Sequence, residues 1–202
     1  VGTGNDFAGA IGMPSKLDEA LRILMETPAQ PVDLGRVSWQ GPSGQAGRRV
    51  FTNCLGAGID AQAAHEAAKF KRFQGRSAYL AGILRSLWMW RTPHAEIEVS
   101  IGERWTEDGA AAGAVFSTGP VLLCEIGNGP TLGGGFRVTP DAVPNDGLLD
   151  LCVVRHISPR RVLSLLPKAI RGTHQGEPEV STAQTPAVTI RAVEGSLPVQ
   201  AD

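Results

Sequence analysis

The sequence predicts an α+β chain in which a helical and hairpin region precedes an antiparallel β-rich half, a sheet or sandwich carrying one packed helix. Three observations carry this. Early in the chain Leu17, Ala20, Leu21, Leu24 and Met25 recur at helical spacing. Beyond Pro93 the period changes, and Ile97, Val99 and Ile101 alternate with polar residues as a half-buried strand does. The 25 Gly and 14 Pro supply the turns such a chain needs. At 202 residues it admits one large or two modest domains, and the soft boundary falls near residue 93.

The elements follow in order. Ser15 with Asp18 approximates a capping box ahead of the first apolar stripe, and Pro28 and Pro31 end that helix. The β-branched and aromatic content of 32–39 and 49–55, separated by Gly41-Pro42-Ser43-Gly44, predicts a hairpin. Residues 60–73 and 76–91 read as two helices parted by Gly75, the second with Tyr79, Ile83, Leu87 and Trp90 on one face. Strand-like runs follow at 113–118, 120–127, 148–154 and 187–192. Between them, Ser158 can cap and Pro159 can open a helix over 159–171, with Val162, Leu165, Leu166 and Ile170 as its apolar face. Val199 to Asp202 reads as the end of a further strand.

Composition excludes several classes. With 42% hydrophobic and 19% charged residues the chain is neither disordered nor fibrous, and a net charge of -1 gives no basis for nucleic-acid binding. Cys54, Cys124 and Cys152 lie far apart among apolar neighbours, as reduced core residues of a cytoplasmic protein would. The longest apolar stretch, 79–90, is broken by Arg85 and is too short to span a hydrocarbon layer of about 30 Å. The chain opens without Met on residues that are already motif-like, so a fragment is expected.

Three Gly-rich or acidic segments carry the candidate chemistry. Gly2-Thr3-Gly4-Asn5-Asp6 stands just before a helix and can either present N–H groups to a phosphate or form a turn capped by Asn5 or Asp6. As a dinucleotide fingerprint it fails, because Phe7 occupies the third glycine position. Gly133-Gly134-Gly135 allows backbone torsions closed to other residues and a close approach by a ligand or another segment. Asn145-Asp146-Gly147 after Pro144 is either an Asx-turn or a hard-cation site completed by carbonyl oxygens.

In their order these pieces resemble a known family. Gly-Thr-Gly-Asn-Asp-Phe-Ala at 2–8, Asn-Cys-Leu-Gly-Ala-Gly-Ile-Asp-Ala at 53–61, the glycines at 133–135, Pro-Asp-Ala-x-x-x-Asp-Gly-Leu-Leu-Asp at 140–150 and Gly172-Thr173-His174 are similar to motifs of the diacylglycerol kinase catalytic family. That family embraces bacterial soluble lipid kinases and the sphingosine and ceramide kinases, and the resemblance covers essentially the whole chain.

The resemblance implies an ATP-dependent lipid kinase with a C-terminal β-rich, sandwich-like domain at 31–202, a helical insertion at about 60–92, and a remnant of the N-terminal α/β nucleotide domain at 1–30. It implies ATP contact by Gly2, Thr3, Gly4 and Asn5, with Asp6 orienting a neighbour or a metal. It implies Mg²⁺ held by Asp146 and the carbonyls of Val143 and Leu148. Asp202 matches the Asp of a segment whose following Glu would be the general base, so the chain alone is not expected to catalyse transfer.

The implied acceptor is diacylglycerol or a related lipid alcohol at a membrane surface. Trp88 and Trp90 with Arg85 and Arg91 suit a membrane interface, Lys69, Lys71, Arg72 and Arg76 could meet an anionic headgroup, and a homodimer is admitted. Core packing and a solvated helix face account for the same residues. Two other readings share features of the sequence: a relative of the NAD kinases, and a non-catalytic lipid-binding module.

Overall fold

The computed structural model describes residues 4–41, 43–69, 76–89, 96–105, 111–194 and 197–202. Gly2, Thr3, Lys71, Arg72, Gly75, Trp90 and Arg91, invoked above, lie outside the described residues. The chain runs through α1 (Asp6–Ala10), α2 (Leu17–Glu26), the hairpin β1 (Gly35–Gln40) and β2 (Ala46–Phe51), then β3 (Cys54–Gly58), α3 (Ile59–Ala67) and α4 (Arg76–Met89). The β-rich half follows with β4 (Glu96–Trp105), β5 (Ala111–Gly127), β6 (Leu149–Arg155), α5 (Pro159–Arg171), β7 (Val180–Thr185), β8 (Ala187–Glu194) and β9 (Val199–Ala201).

Four details depart from expectation. The Ser15–Asp18 capping box does not form: Lys16 is the N-cap of α2 without a side-chain cap, and its Nζ pairs instead with Glu19. Asn5, at φ 53° and ψ 30°, turns the chain into the additional short helix α1. The two runs at 113–118 and 120–127 are one 17-residue strand, which Gly119 at φ +107° lets bend without ending. β7, with alternate burial but only one large apolar residue, gave no sequence signal. α5 follows its prediction, with Ser158 Oγ accepting from Arg161 N at 3.4 Å and Gly172 closing the helix at φ +73°.

The bend makes β5 common to two antiparallel layers. Its first half pairs with β4, which pairs with β8; its second half lies between β6 and β3, with β7 and β9 at the edges. Alternation along the strands then divides the core. Leu151 and Val153 of β6 pack with Leu55, Ala57, Val99, Ile126 and Val188 between the two layers. Cys152 and Val154 point the other way and pack with Ile59, Ile83 and Leu87 of α3 and α4 and Val162 of α5. The second core, between sheet and helices, borders the candidate site.

Candidate functional site

Two glycine-rich segments meet. Gly134 N donates to Asp6 Oδ2 at 2.8 Å, so the 4–6 segment lies against the 133–135 loop. A Cβ on Gly4 would stand 3.1 Å from Gly134 N and 2.5 Å from Asp6 Oδ2, which makes the close approach a glycine requirement. All three loop glycines have positive φ (59°, 85° and 102°), and Gly133 rests on the Tyr79 ring. From the other side Arg76 donates to the carbonyls of Gly134 and Gly135 at 3.1 and 3.2 Å. The loop is therefore gripped at an amide by α1 and at two carbonyls by α4.

Three polar residues to which sequence reasoning assigned no role, Asn53 of the 53–61 motif, Asn128 and Asp33, tie this loop to the rest. Asn53 accepts with its carbonyl from Asn128 N and Gly129 N and donates from Nδ2 to Thr131 O at 2.9 Å. Asn128 Nδ2 donates to the carbonyls of Thr52 and Asp33 at 2.8 and 3.0 Å. Asp33 in turn donates its N–H to Pro144 O and accepts from Gly147 N at its Oδ2, 2.7 Å away. Asp33 thus joins Asn128, which is tied through Asn53 to Thr131 ahead of the glycine loop, to the turn that carries Asp146.

That turn fits a hard cation. Asp146 Oδ1 accepts from Leu148 N at 2.9 Å, the Asx-turn, which leaves Oδ2 for another ligand. Val143 O accepts from Asn145 N with one lone pair and retains a second, and residues 143, 145 and 146 are exposed. Negative charge gathers here: Asp33 touches the turn, and burial first, with smaller contributions from Asp146 and Asp141, pushes the Asp150 carboxyl upward against the hydrogen bond from Gln184. Oxygen donors in a field of carboxylates suit an ion that takes six oxygens. Among the described residues no group of three His, Cys, Asp or Glu side chains forms a metal site, so any ion here depends on carbonyls and water.

Asp202, the other acidic candidate, is turned inward. Its carboxylate accepts from Thr52 Oγ1 at 2.7 Å, Asn53 N and Cys54 N, so it fastens the end of β9 to the corner between β2 and β3. It thereby holds Asn53, the hub of the loop contacts.

Beside the site, α3, α4, α5 and the sheet enclose a cavity of about 90 Å³ with apolar walls that include Ile83, Leu122, Phe136, Val162 and Leu165. Asp60, Tyr79 and His174 bring the polar atoms. The Tyr79 hydroxyl donates to Asp60 Oδ1, and burial pushes the Asp60 carboxyl upward. His174 Nε2 lies 3.1 Å from Val138 O, its Nδ1 is buried without a partner, and burial holds its pKa below the usual value, so the ring stays neutral. Cys54 is half-buried rather than a plain core thiol: burial and then the neighbouring Glu125, Asp60 and Asp202 push it far up, so it stays protonated. Trp88 of α4, by contrast, is 86% exposed. Lys69 and Arg85, both about half exposed, pair with the buried Glu66 at 2.6 Å, so these charges already have a partner within the protein.

A β-sandwich with a glycine loop held against its helical side defines a class, and comparison identifies it. The chain belongs to the family of the YegS C-terminal NAD kinase beta sandwich-like domain, whose model matches residues 53–202. The chain is similar to a probable lipid kinase YegS-like protein of Chromohalobacter salexigens, 32% identical over all of this chain and 58% of the relative. It is similar also to a diacylglycerol kinase of Mycobacterium tuberculosis, 28% identical over 94% of this chain and 56% of the relative. The fold matches a diacylglycerol kinase structure from Bacillus anthracis with a TM-score of 0.57 at 18% identity, covering 97% of this chain and 56% of the other. A further Bacillus anthracis structure gives a TM-score of 0.66 at 22% identity, covering 97% and 58%. The chain therefore spans a little over half the length of these relatives.

Proposed function

We propose that this chain forms the acceptor side of an ATP-dependent lipid kinase, which transfers the γ-phosphoryl group to the hydroxyl of diacylglycerol or a related lipid alcohol. The observation that carries the reading is the stitching of the 4–6 segment, the 133–135 loop and the Asp146 turn into one connected face beside an apolar cavity. Phosphoryl transfer asks a protein chiefly to position two substrates and to stabilise charge. The opening segment, with Gly2, Thr3, Gly4 and Asn5, serves the triphosphate against the partly exposed glycine loop, and the cavity serves the lipid.

Mg²⁺ would be held by Asp146 and the carbonyls of Val143 and Leu148, where it would help to neutralise phosphate charge. Asp33 orients that turn through Gly147 N, and Asp6 orients the glycine loop through Gly134 N. Asp202 positions Asn53 rather than meeting the substrate. The cavity is smaller than the roughly 150 Å³ void that admits benzene, so an acyl chain enters only as the lining side chains move apart. The exposed apolar side of α2, with Leu17, Leu24 and Met25, is where contact with a nucleotide domain falls. Exposed Leu84 and Trp88 on α4 face the membrane surface.

The test joins this chain to the remaining length of a relative and supplies radiolabelled ATP with diacylglycerol, with NAD as a competing acceptor. Label in phosphatidate supports the reading, label in NADP replaces it with the NAD kinase reading, and no transfer with retained lipid binding leaves a lipid-binding module.

A further inference from the structure

Glu125 is the least expected residue of the sheet. It sits in the middle of β5, fully buried, and neither carboxyl oxygen has a hydrogen-bond partner. The strand register sets it opposite Gly56, and alternation turns it to the helical side, away from Cys124 and Ile126 in the other core. There it meets Asp60. A Cβ on Gly56 would stand 1.8 Å from Asp60 Oδ2 and 2.8 Å from Glu125 Oε2, so the two oxygens face each other across the space the absent side chain leaves.

Two buried carboxyls with no cation between them cannot both be ionised. The titratable groups facing Glu125 are Cys54 on β3, Cys152 on β6, Asp60 on α3 and Asp202 after β9, with Tyr79 of α4 reaching Asp60. None is a cation, and a thiol is too weak a donor to replace water at a carboxylate. The asymmetry lies in Tyr79: its hydroxyl donates to Asp60 Oδ1, whereas Glu125 has no such donor. Asp60 is therefore the better anion and Glu125 the better acid. Burial, and next the charge of Asp60, push the Glu125 carboxyl well above its usual range.

We propose that Glu125 is a positioning residue carried as the neutral acid, which donates its proton to Asp60 Oδ2 across Gly56 and fixes Asp60 as the single anion at the polar end of the apolar cavity, ready to accept a hydrogen bond from the hydroxyl of a bound lipid alcohol. The lipid half of this rests on the kinase reading above; the shared proton does not. Glu125 touches no substrate. It acts by holding the orientation and charge of Asp60, which lines the cavity.

Two measurements on this chain test it. Infrared spectroscopy of the folded protein at pH 8 should show the carbonyl stretch of a protonated carboxylic acid, absent in Glu125→Gln. No such band in the wild type, or a band that survives the substitution, overturns the shared proton. Calorimetric titration with 1,2-dioctanoylglycerol should find Glu125→Gln, whose amide still donates to Asp60, binding like the wild type, and Glu125→Met binding about tenfold more weakly. Equal binding by all three, or equal loss in both variants, overturns the positioning role. Glu125→Leu replaces the Met variant should that one fail to fold. If the wild type keeps the infrared band yet binds no lipid, the lipid half falls together with the kinase reading.

Discussion

Burying a titratable group makes its proton part of the folding equilibrium, and the carboxyls of Asp60 and Glu125 do so with the opposite sign to the imidazole of His174. An acid whose folded pKa is raised binds its proton more tightly folded than unfolded, so stability falls as pH rises past the ordinary value, 3.8 for Asp60. A histidine whose pKa is lowered by burial costs stability as pH falls through its ordinary 6.5. The two slopes partly cancel in the wild type, and variants separate them. Asp60→Asn, which keeps the Tyr79 contact at Oδ1, should gain stability over the wild type progressively as pH rises above 4. Denaturant unfolding at several pH values measures this, and a constant difference would mean that Asp60 does not titrate in the native protein.

Asp146 divides its two carboxylate oxygens between a turn and a candidate ion. The Asx-turn uses one carboxylate oxygen, so removing the side chain costs about 1 kcal/mol through Leu148 N alone. A bound ion would add a response of a different kind. Asp146→Ala should abolish any Mg²⁺-induced rise in melting temperature of this chain, whereas a lower melting temperature with an unaltered Mg²⁺ response would leave the Asx-turn as the residue's whole role.

Among the elements, α4 is apolar on two sides. Tyr79, Ile83 and Leu87 enter the core as their spacing predicted, but Leu84 and Trp88, four residues apart on the outer side, stay 46% and 86% exposed. Core packing thus explains the inner stripe and leaves the outer one for a surface. If that surface is a bilayer, Trp88→Ala should weaken association with diacylglycerol-containing liposomes on the order of tenfold, the worth of about 55 Å² of apolar burial. Flotation of the chain with vesicles reads this directly. A variant that melts early yet binds normally would return Trp88 to a packing role.

The same scale shows what was legible in the sequence. α5 could be read to its ends because Ser158, Pro159 and Gly172 are local signals. β7 could not, because its partner β6 supplies the ladder that its own composition does not announce. The glycine loop and the Asp146 turn were visible as motifs. The tying roles of Asp33, Asn53 and Asn128 were not, although Asn53 opens the 53–61 motif, since what distinguishes these residues is a set of backbone carbonyls and one amide 76 to 114 residues away. Glu125 did leave a trace, a lone carboxylate in the apolar run 121–126, but only the register opposite Gly56 gives it meaning.

For the molecule as a whole, the kinase reading assigns the two substrates to different structures, the lipid to the cavity under α4 and the nucleotide to the face built on the glycine loop. The contact between Asp6 and Gly134 joins the opening segment to that loop, and through Asn53, Asn128 and Asp33 to the Asp146 turn. The apolar cavity meets this network through Tyr79, which supports Gly133 and donates to Asp60. Damage at the opening segment should therefore register with one substrate first. In the chain joined to the remaining length of a relative, Thr3→Ala should raise the KM for ATP by about tenfold, the loss expected for one hydrogen bond to a charged phosphate, while the KM for diacylglycerol changes little. Initial rates over a grid of both substrates separate the two constants, and a selective rise in the lipid constant would remove Thr3 from the triphosphate face.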